Sequence, residues 1–329
     1  MTVREHIHEA LLYGRIFTHK FRRPPQKVGW LVGSGRSGTT WLASLVNADA
    51  TMRELFEPVH KLHVLHMKEG PDHPYLRNGE VSKEWAKWQS DVFQGRYITC
   101  RTDRDNIYRN PANARKLLVK DVFACGMVGA GMSAHPKLAT ALVMRHPIAV
   151  ALSKQVHRDW HWTWSPRAFM DEPKLVEDHL SDVVDDLERI SREGSELANL
   201  VAVWAVLQRL ALRSAPQERM PILHYERAVL DPWGAVKELG AHPSWEGIIT
   251  ANEEQVLSAA KRISFVSKAV KPQSLPNPAR WKNKVDSPTM NECALVLKAL
   301  GMEGWHNHEG FPEPGVIQAW RDAQTPPLT

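Results

Sequence analysis

The sequence offers almost nothing from which to build a covalent or membrane-borne framework. Its three cysteines, Cys100, Cys125 and Cys293, are odd in number and far apart, which excludes a disulfide scaffold and suits a reducing compartment. No stretch approaches the roughly 18 apolar residues of a membrane span. The opening "MTVREHIHEALLYGRIFTHKFRRPP" is broken by charge every few residues and lacks the apolar centre of a secretory signal. These absences point to a cytoplasmic protein with no membrane span. Low-complexity tracts and internal repeats are missing too, and 43% hydrophobic with 24% charged residues is the balance of an ordered globular chain. The formal charge of +5 favours an anionic ligand, but no basic run is long enough to imply nucleic acid.

What the chain does have is strand signals alternating with helix signals. Residues 27–35, "KVGWLVGSG", read as a buried strand ending in a glycine turn. Residues 37–48 follow as a helix with Trp41, Leu42, Leu45 and Val46 on one side. "KLLVKDVF" (116–123), "LATALVMR" (138–145) and "MPILHYE" (220–226) predict three more strands. Helices are predicted from Pro147 onward, over 182–213, after the Asp231–Pro232 start signal, and over 287–302 from the Ser-Pro pair. This alternation implies an α/β fold, a central parallel sheet flanked by helices. Nothing marks a domain boundary, so one domain over 1–329 is expected, with 1–26 as an N-terminal extension. Segments 60–112 and 155–180 are rich in Trp, His and Pro without periodicity, and are expected as rim insertions that shape a substrate cleft.

The stretch with the most chemistry is "GSGRSGTTWLASLV" (33–46). Gly33 and Gly38 keep the interval of the triphosphate loop G-x-x-x-x-G-K-[ST], yet Thr39 replaces its lysine and a cation, Arg36, stands before Gly38. Gly33, Gly35 and Gly38, with Ser34 between them, allow close backbone approach to an anion. The amides from Ser37 through Thr39 to Thr40 would face that anion from the helix start. The missing lysine normally reaches the β- and γ-phosphates while the next hydroxyl holds magnesium, so an ATP- or GTP-hydrolysing enzyme is disfavoured. A donor with a single 5′-phosphate and a transferable group of little charge needs no such bridge.

In these residues the chain resembles the sulfotransferases that use 3′-phosphoadenosine 5′-phosphosulfate (PAPS). "GSGRSGTTWL" is similar to their 5′-phosphosulfate loop. "LVMRHPIAVALSK" (142–154) is similar to their 3′-phosphate site, where a strand-terminal Arg and a Ser eight residues on grip the ribose phosphate. The resemblance implies a P-loop-NTPase-like fold, PAPS as co-substrate without a metal, and Arg145 with Ser153 as the 3′-phosphate pair. Arginine's planar fork of donors suits that task. "ELFEPVHKLH" (54–63), "LLVKDVF", "LHYERAVLDPWGAVKEL" and "ARWKNKVDSPTMNECALVLKALGMEGW" resemble segments of the carbohydrate branch, which works on N-acetylglucosamine and galactose. The implied acceptor is a hydroxyl of a carbohydrate, glycolipid or other small molecule, and Trp281 and Lys282 are implied near the 3′-phosphate. A P-loop nucleotide kinase and a non-catalytic binding protein for 3′,5′-phosphorylated adenosine stand as alternatives.

Sulfuryl transfer to a hydroxyl needs a base for the proton and positive charge around the migrating group. Glu57, ahead of Pro58, is the first candidate base, with Glu54 and Asp121 behind it. The K-T-H histidine of phenol-type members is absent, because that place reads Lys120-Asp121-Val122. Arg36 is expected to stabilise developing charge, and Lys120 either adds a cation or is a solvated strand-edge lysine. His60 is an acceptor contact or a polar loop residue. Neither His60, His63 and His66 nor His157 and His161 are completed by Cys or carboxylate into a metal motif. Trp160, Trp162 and Trp164 alternate, forming an acceptor wall if extended and a packed loop otherwise. Trp41 is expected to pack its helix on the sheet.

Overall fold

Lys27–Gly33 becomes strand β1 because its side chains have two apolar layers to fill. In the computed structural model, which describes residue 14 and residues 24–61, 71–99, 101–103, 115–158, 160, 162–261 and 277–324, β1 is joined by β2 (Met52–Phe56), β3 (Lys116–Asp121), β4 (Leu138–Met144) and β5 (Ile222–His224). All neighbours pair in parallel, in the order β2-β3-β1-β4-β5. The helices that concern the site and its support are α1 (Thr39–Val46), α2 (Pro147–Val156), α3 (Val184–Glu193), α4 (Glu196–Ser214), α5 (Tyr225–Leu230), α6 (Pro232–Ala241), α7 (Glu253–Ala260) and α8 (Ser287–Ala299).

The period-2 alternation of strands sorts the core into two layers. Trp30, Val32, Val119, Leu142 and Met144 face one layer, closed by α2, α4 and α8. Leu31, Leu118, Ala141 and Val143 face the other, closed by Leu42 and Leu45 of α1, by α6 and α7, and by Trp245. The architecture is α/β, a central parallel sheet flanked by helices in the P-loop-like arrangement. Among the described residues no helix is long and apolar enough to cross a membrane.

Three details differ from the sequence reading. The 182–213 pattern is two helices, α3 and α4, broken at Gly194–Ser195, where Ser195 Oγ accepts from the Ala198 amide and starts α4 afresh. The strand expected over 220–226 is only Ile222–His224, because Tyr225 and Glu226 already belong to α5. Helix α8 is capped by Asp286, whose carboxylate accepts from the Thr289 amide, one residue before the Ser-Pro pair. Asp231 caps α6 as expected, accepting from the Gly234 amide at 2.8 Å.

The chain leaves β1 toward β2 on one side, and β4 lies on the other. Such a reversal opens a crevice at the carboxyl ends of the strands. Every strand end there delivers a residue of interest. The glycine loop follows β1, Glu57 follows β2, Lys120 and Asp121 close β3, Arg145 follows β4, and Tyr225 follows β5.

Candidate active site

Gly33 is the last residue of β1, beside Val143 of β4, and the chain then turns through Ser34 to Gly38 into α1. Gly38 is its N-cap at φ 85°, and a Cβ there would lie 2.4 Å from the Tyr225 ring. A Cβ on Gly35 would meet the Trp162 ring at 2.5 Å. Both positions require glycine for close approach. The Ser37 amide bonds the Ser34 carbonyl at 3.1 Å, so it closes the turn instead of facing an anion as expected. The amides of Thr39 and Thr40, at the start of α1, lie outside the helical ladder. Ser37 Oγ is buried without a hydrogen-bond partner among the described residues.

Only three described non-glycine residues have positive φ, and two of them are Arg36 at 72° and Glu57 at 46°. Left-handed backbone costs such residues roughly 1–2 kcal/mol each, and it concentrates where a side chain must be aimed. Arg36 Nε donates to Ser153 Oγ at 2.9 Å, and Arg145 Nη1 donates to the Arg36 carbonyl at 3.0 Å. The glycine loop and the Arg145–Ser153 pair are therefore one constellation. The Arg145 guanidinium lies 4.4 Å from the Tyr225 ring centroid, and that of Arg36 lies 5.3 Å from Trp160. Burial, with Arg145 beside it, lowers the Arg36 pKa.

A buried support stands behind Arg145. Glu226 Oε1 accepts the His146 amide at 2.9 Å, and Trp281 stacks on the His146 ring with centroids 4.0 Å apart. Burial raises the Glu226 carboxyl to about 7. Trp281 thus braces the β4–α2 turn that carries Arg145. Lys282 donates to the His308 carbonyl.

The second half of the site gathers at β2 and β3. Glu57 Oε1 accepts from Lys120 Nζ at 2.7 Å, its Oε2 pairs with Arg101, and Lys120 also reaches Thr40 Oγ1 at 3.3 Å. Thr40 thereby links the carboxylate cluster to the loop. Lys120 is 4% exposed and sits 3.8 Å from the Phe56 ring centroid, so it is no solvated strand-edge lysine. Burial alone would push the Glu57 carboxyl up, but Lys120 and Arg101 outweigh it and hold it below the usual carboxylate range. Arg101 was missed by the sequence reading. Its partner lies 44 residues away, and no local pattern marks it.

The two other carboxylates are engaged elsewhere. Glu54 accepts from Asn47 at 2.7 Å, at the C-terminal end of α1. That is about 12 Å of helix away from the loop. Asp121 is buried and accepts the Val59 and Phe123 amides at 2.7 and 2.8 Å, which fixes the chain after Glu57. Burial lifts it to about 7 in spite of those bonds. The His60 ring meets Phe123 edge-on at 5.1 Å. Trp160 and Trp162 lie together, centroids 5.5 Å apart, over the loop, whereas Trp164 packs beneath Arg158. Trp41 meets Tyr225 edge-on at 5.7 Å and packs against the core layer under α1. His63, His66 and His161 lie outside the described residues. Among the described ones no group of three or more His, Cys, Asp or Glu could hold a metal ion.

No protein-family model matches the chain, and no curated protein does. Solved structures give distant likenesses. A sulfotransferase from Alicyclobacillus acidocaldarius shares 17% identity, with 86% of this chain and 97% of that one covered and a TM-score of 0.38. The sulfotransferase domain of the curacin biosynthetic pathway shares 16%, covering 86% and 99%, with a TM-score of 0.44. A mouse sulfotransferase complexed with PAP shares 13%, covering 87% and 88%, with a TM-score of 0.37. Likeness at this distance assigns no chemistry, which has to come from the chain's own geometry.

Proposed function

We propose that the chain is a PAPS-dependent sulfotransferase that moves a sulfuryl group onto a hydroxyl of a carbohydrate, glycolipid or other small molecule. The observation that carries this reading is the convergence of Arg145 and Ser153 on Arg36, through bonds of 3.0 and 2.9 Å. A nucleotide with its 5′-phosphate on the loop would have its ribose 3′-phosphate near that pair. Ser37 Oγ and Arg145 Nε, buried and unpartnered among the described residues, are donors that phosphate oxygens would satisfy. The amides of Thr39 and Thr40 would add the helix-start field.

In this scheme Glu57 accepts the proton as the acceptor oxygen bonds to sulfur. The bond from sulfur to the 5′-phosphate oxygen breaks in line, leaving a sulfate ester and adenosine 3′,5′-bisphosphate. Lys120, held between Glu57 and Thr40, is the cation best situated to follow the charge onto the migrating group. Arg36 contributes at the Ser153 side of the loop, and Trp281 and Lys282 brace the 3′-phosphate end. Arg101 comes from segment 60–112, and Trp160 and Trp162 from segment 155–180. This supports a cleft shaped by those insertions. His60 lies on the acceptor side.

The test pairs calorimetry of adenosine 3′,5′-bisphosphate with incubation of radiolabelled PAPS and a panel of hydroxylated acceptors. A labelled ester is the expected product. Bisphosphate binding without turnover on any acceptor would instead favour a binding protein, and magnesium-dependent ATP turnover would favour a kinase.

A further inference from the structure

Lys154 occupies a position where α2 should bury an apolar residue. It shares a helical stripe with Val150 and Ala151, both in the core, and is 1% exposed. Its ammonium has no hydrogen bond or ion pair among the described residues. The Trp162 ring centroid lies 5.7 Å from Nζ. Among the described residues, the two titratable groups that share its field, Cys125 and His73, are uncharged near neutral pH. Burial pushes the Cys125 thiol up to about 12 and holds the His73 imidazole down at about 3. A buried ammonium without a counter-ion is a standing cost, and an apolar side chain of similar volume would serve the fold better.

The surroundings lead from this ammonium to the proposed base. His73 packs on Phe123 and Phe169, with centroids 5.4 and 5.8 Å apart. Phe123 meets His60, and the His60 amide bonds the Glu57 carbonyl at 3.2 Å. On the other flank Trp162 lies against Gly35 of the loop. Buried rings thus follow Glu57 on one flank, through His60, Phe123 and His73, and Trp162 stands between Lys154 and the loop on the other. We infer that Lys154 anchors an anionic group of the acceptor, so that the acceptor carries a hydroxyl, an aromatic or sugar body, and an anion at its far end. This rests on the sulfotransferase reading for the hydroxyl end and narrows that reading to a substrate class. A neutral acceptor would leave the ammonium uncompensated, which is the basis of discrimination.

Matched twins test the inference: 4-nitrophenyl β-D-glucuronide against the glucoside, and 4-hydroxyphenylacetate against its amide. Each is titrated calorimetrically into wild type, Lys154→Met and Lys154→Arg, with thermal melts to verify folding. In wild type at least one acid binds tenfold or more tighter than its neutral twin. Lys154→Met brings that pair within twofold, and Lys154→Arg keeps the preference. Twins that bind alike in wild type, absence of binding by both included, overturn the inference, as does a preference that survives Lys154→Met. Adenosine 3′,5′-bisphosphate is titrated on the same samples. Its failure to bind wild type removes the donor assignment, whereas intact donor binding with indifferent twins removes only the role of Lys154.

Discussion

Arg36 and Ser153 stand 117 residues apart in sequence and share a 2.9 Å hydrogen bond. That contact closes the glycine loop onto α2, and Arg145 locks it by donating to the Arg36 carbonyl. One ligand can therefore sense both ends of the constellation.

Arg145 is the side chain that would separate a 3′-phosphorylated nucleotide from its unphosphorylated analogue. Arg145→Ala should weaken adenosine 3′,5′-bisphosphate binding at least tenfold, about 1.4 kcal/mol, while adenosine 5′-monophosphate binding changes little. Calorimetry with both nucleotides decides it. If wild type holds the two equally well, Arg145 does not read a 3′-phosphate.

Glu57 carries a prediction for turnover and one for stability. Glu57→Gln should cut turnover by about 10²–10⁴ and leave donor affinity nearly unchanged. Lys120 and Arg101 hold its folded-state pKa below the ordinary 4.5, so the pairing stabilises the fold above that value and is lost as pH falls through the depressed one. The glutamine variant should therefore melt lower than wild type at pH 7, and the gap should narrow in the acid range. Near-normal turnover would move the base elsewhere, and a gap independent of pH would mean that packing, not charge, was lost.

The strands at the centre of the sheet, the glycine turn after β1 and the Arg145–Ser153 stretch were legible because each is local. β1, β3 and β4 are apolar runs bounded by turn residues, and Arg145 and Ser153 are fixed by one strand end and one helix. β2 was not read as a strand because Arg53 interrupts "MRELF". That charge is buried with Asp103, fifty residues on, paired to it at 2.8 Å and the Gly95 carbonyl accepting from it at 3.0 Å. Arg101 was invisible for the same reason, its partner being distant in sequence. The break at Gly194–Ser195 was legible in principle, since glycine followed by an N-cap serine is a stop and a start, but the long apolar pattern on both sides masked it.

The loop's geometry gives one prediction for stability and one for binding. Gly38 combines φ 85° with a Tyr225 ring 2.4 Å from where a Cβ would sit. Gly38→Ala should cost roughly 1–3 kcal/mol from backbone strain and displacement of the ring. It should also weaken bisphosphate binding, because Tyr225 lies under Arg145. A variant with wild-type melting temperature and affinity would show that the loop relaxes freely.

Lys154 should reveal its cost in the opposite direction, as a gain on removal. Burial lowers its pKa from the ordinary 10.5 to about 8. Between those values the unfolded chain holds more protons than the folded one, so wild-type stability rises with pH through that window, and at pH 7 the full cost of the buried charge is present. Lys154→Met should therefore melt higher than wild type at pH 7, by roughly 1–3 kcal/mol, with the advantage shrinking as pH rises past about 8. Melting both proteins from pH 6 to 10 isolates the lysine, because every other titrating group is common to the two. A constant advantage would trace to packing instead of charge, and a variant less stable at every pH would show that the ammonium is well accommodated where it lies. A stability gain coupled to loss of preference for the acid twin would mark Lys154 as a residue held against the interest of the fold for the sake of the ligand.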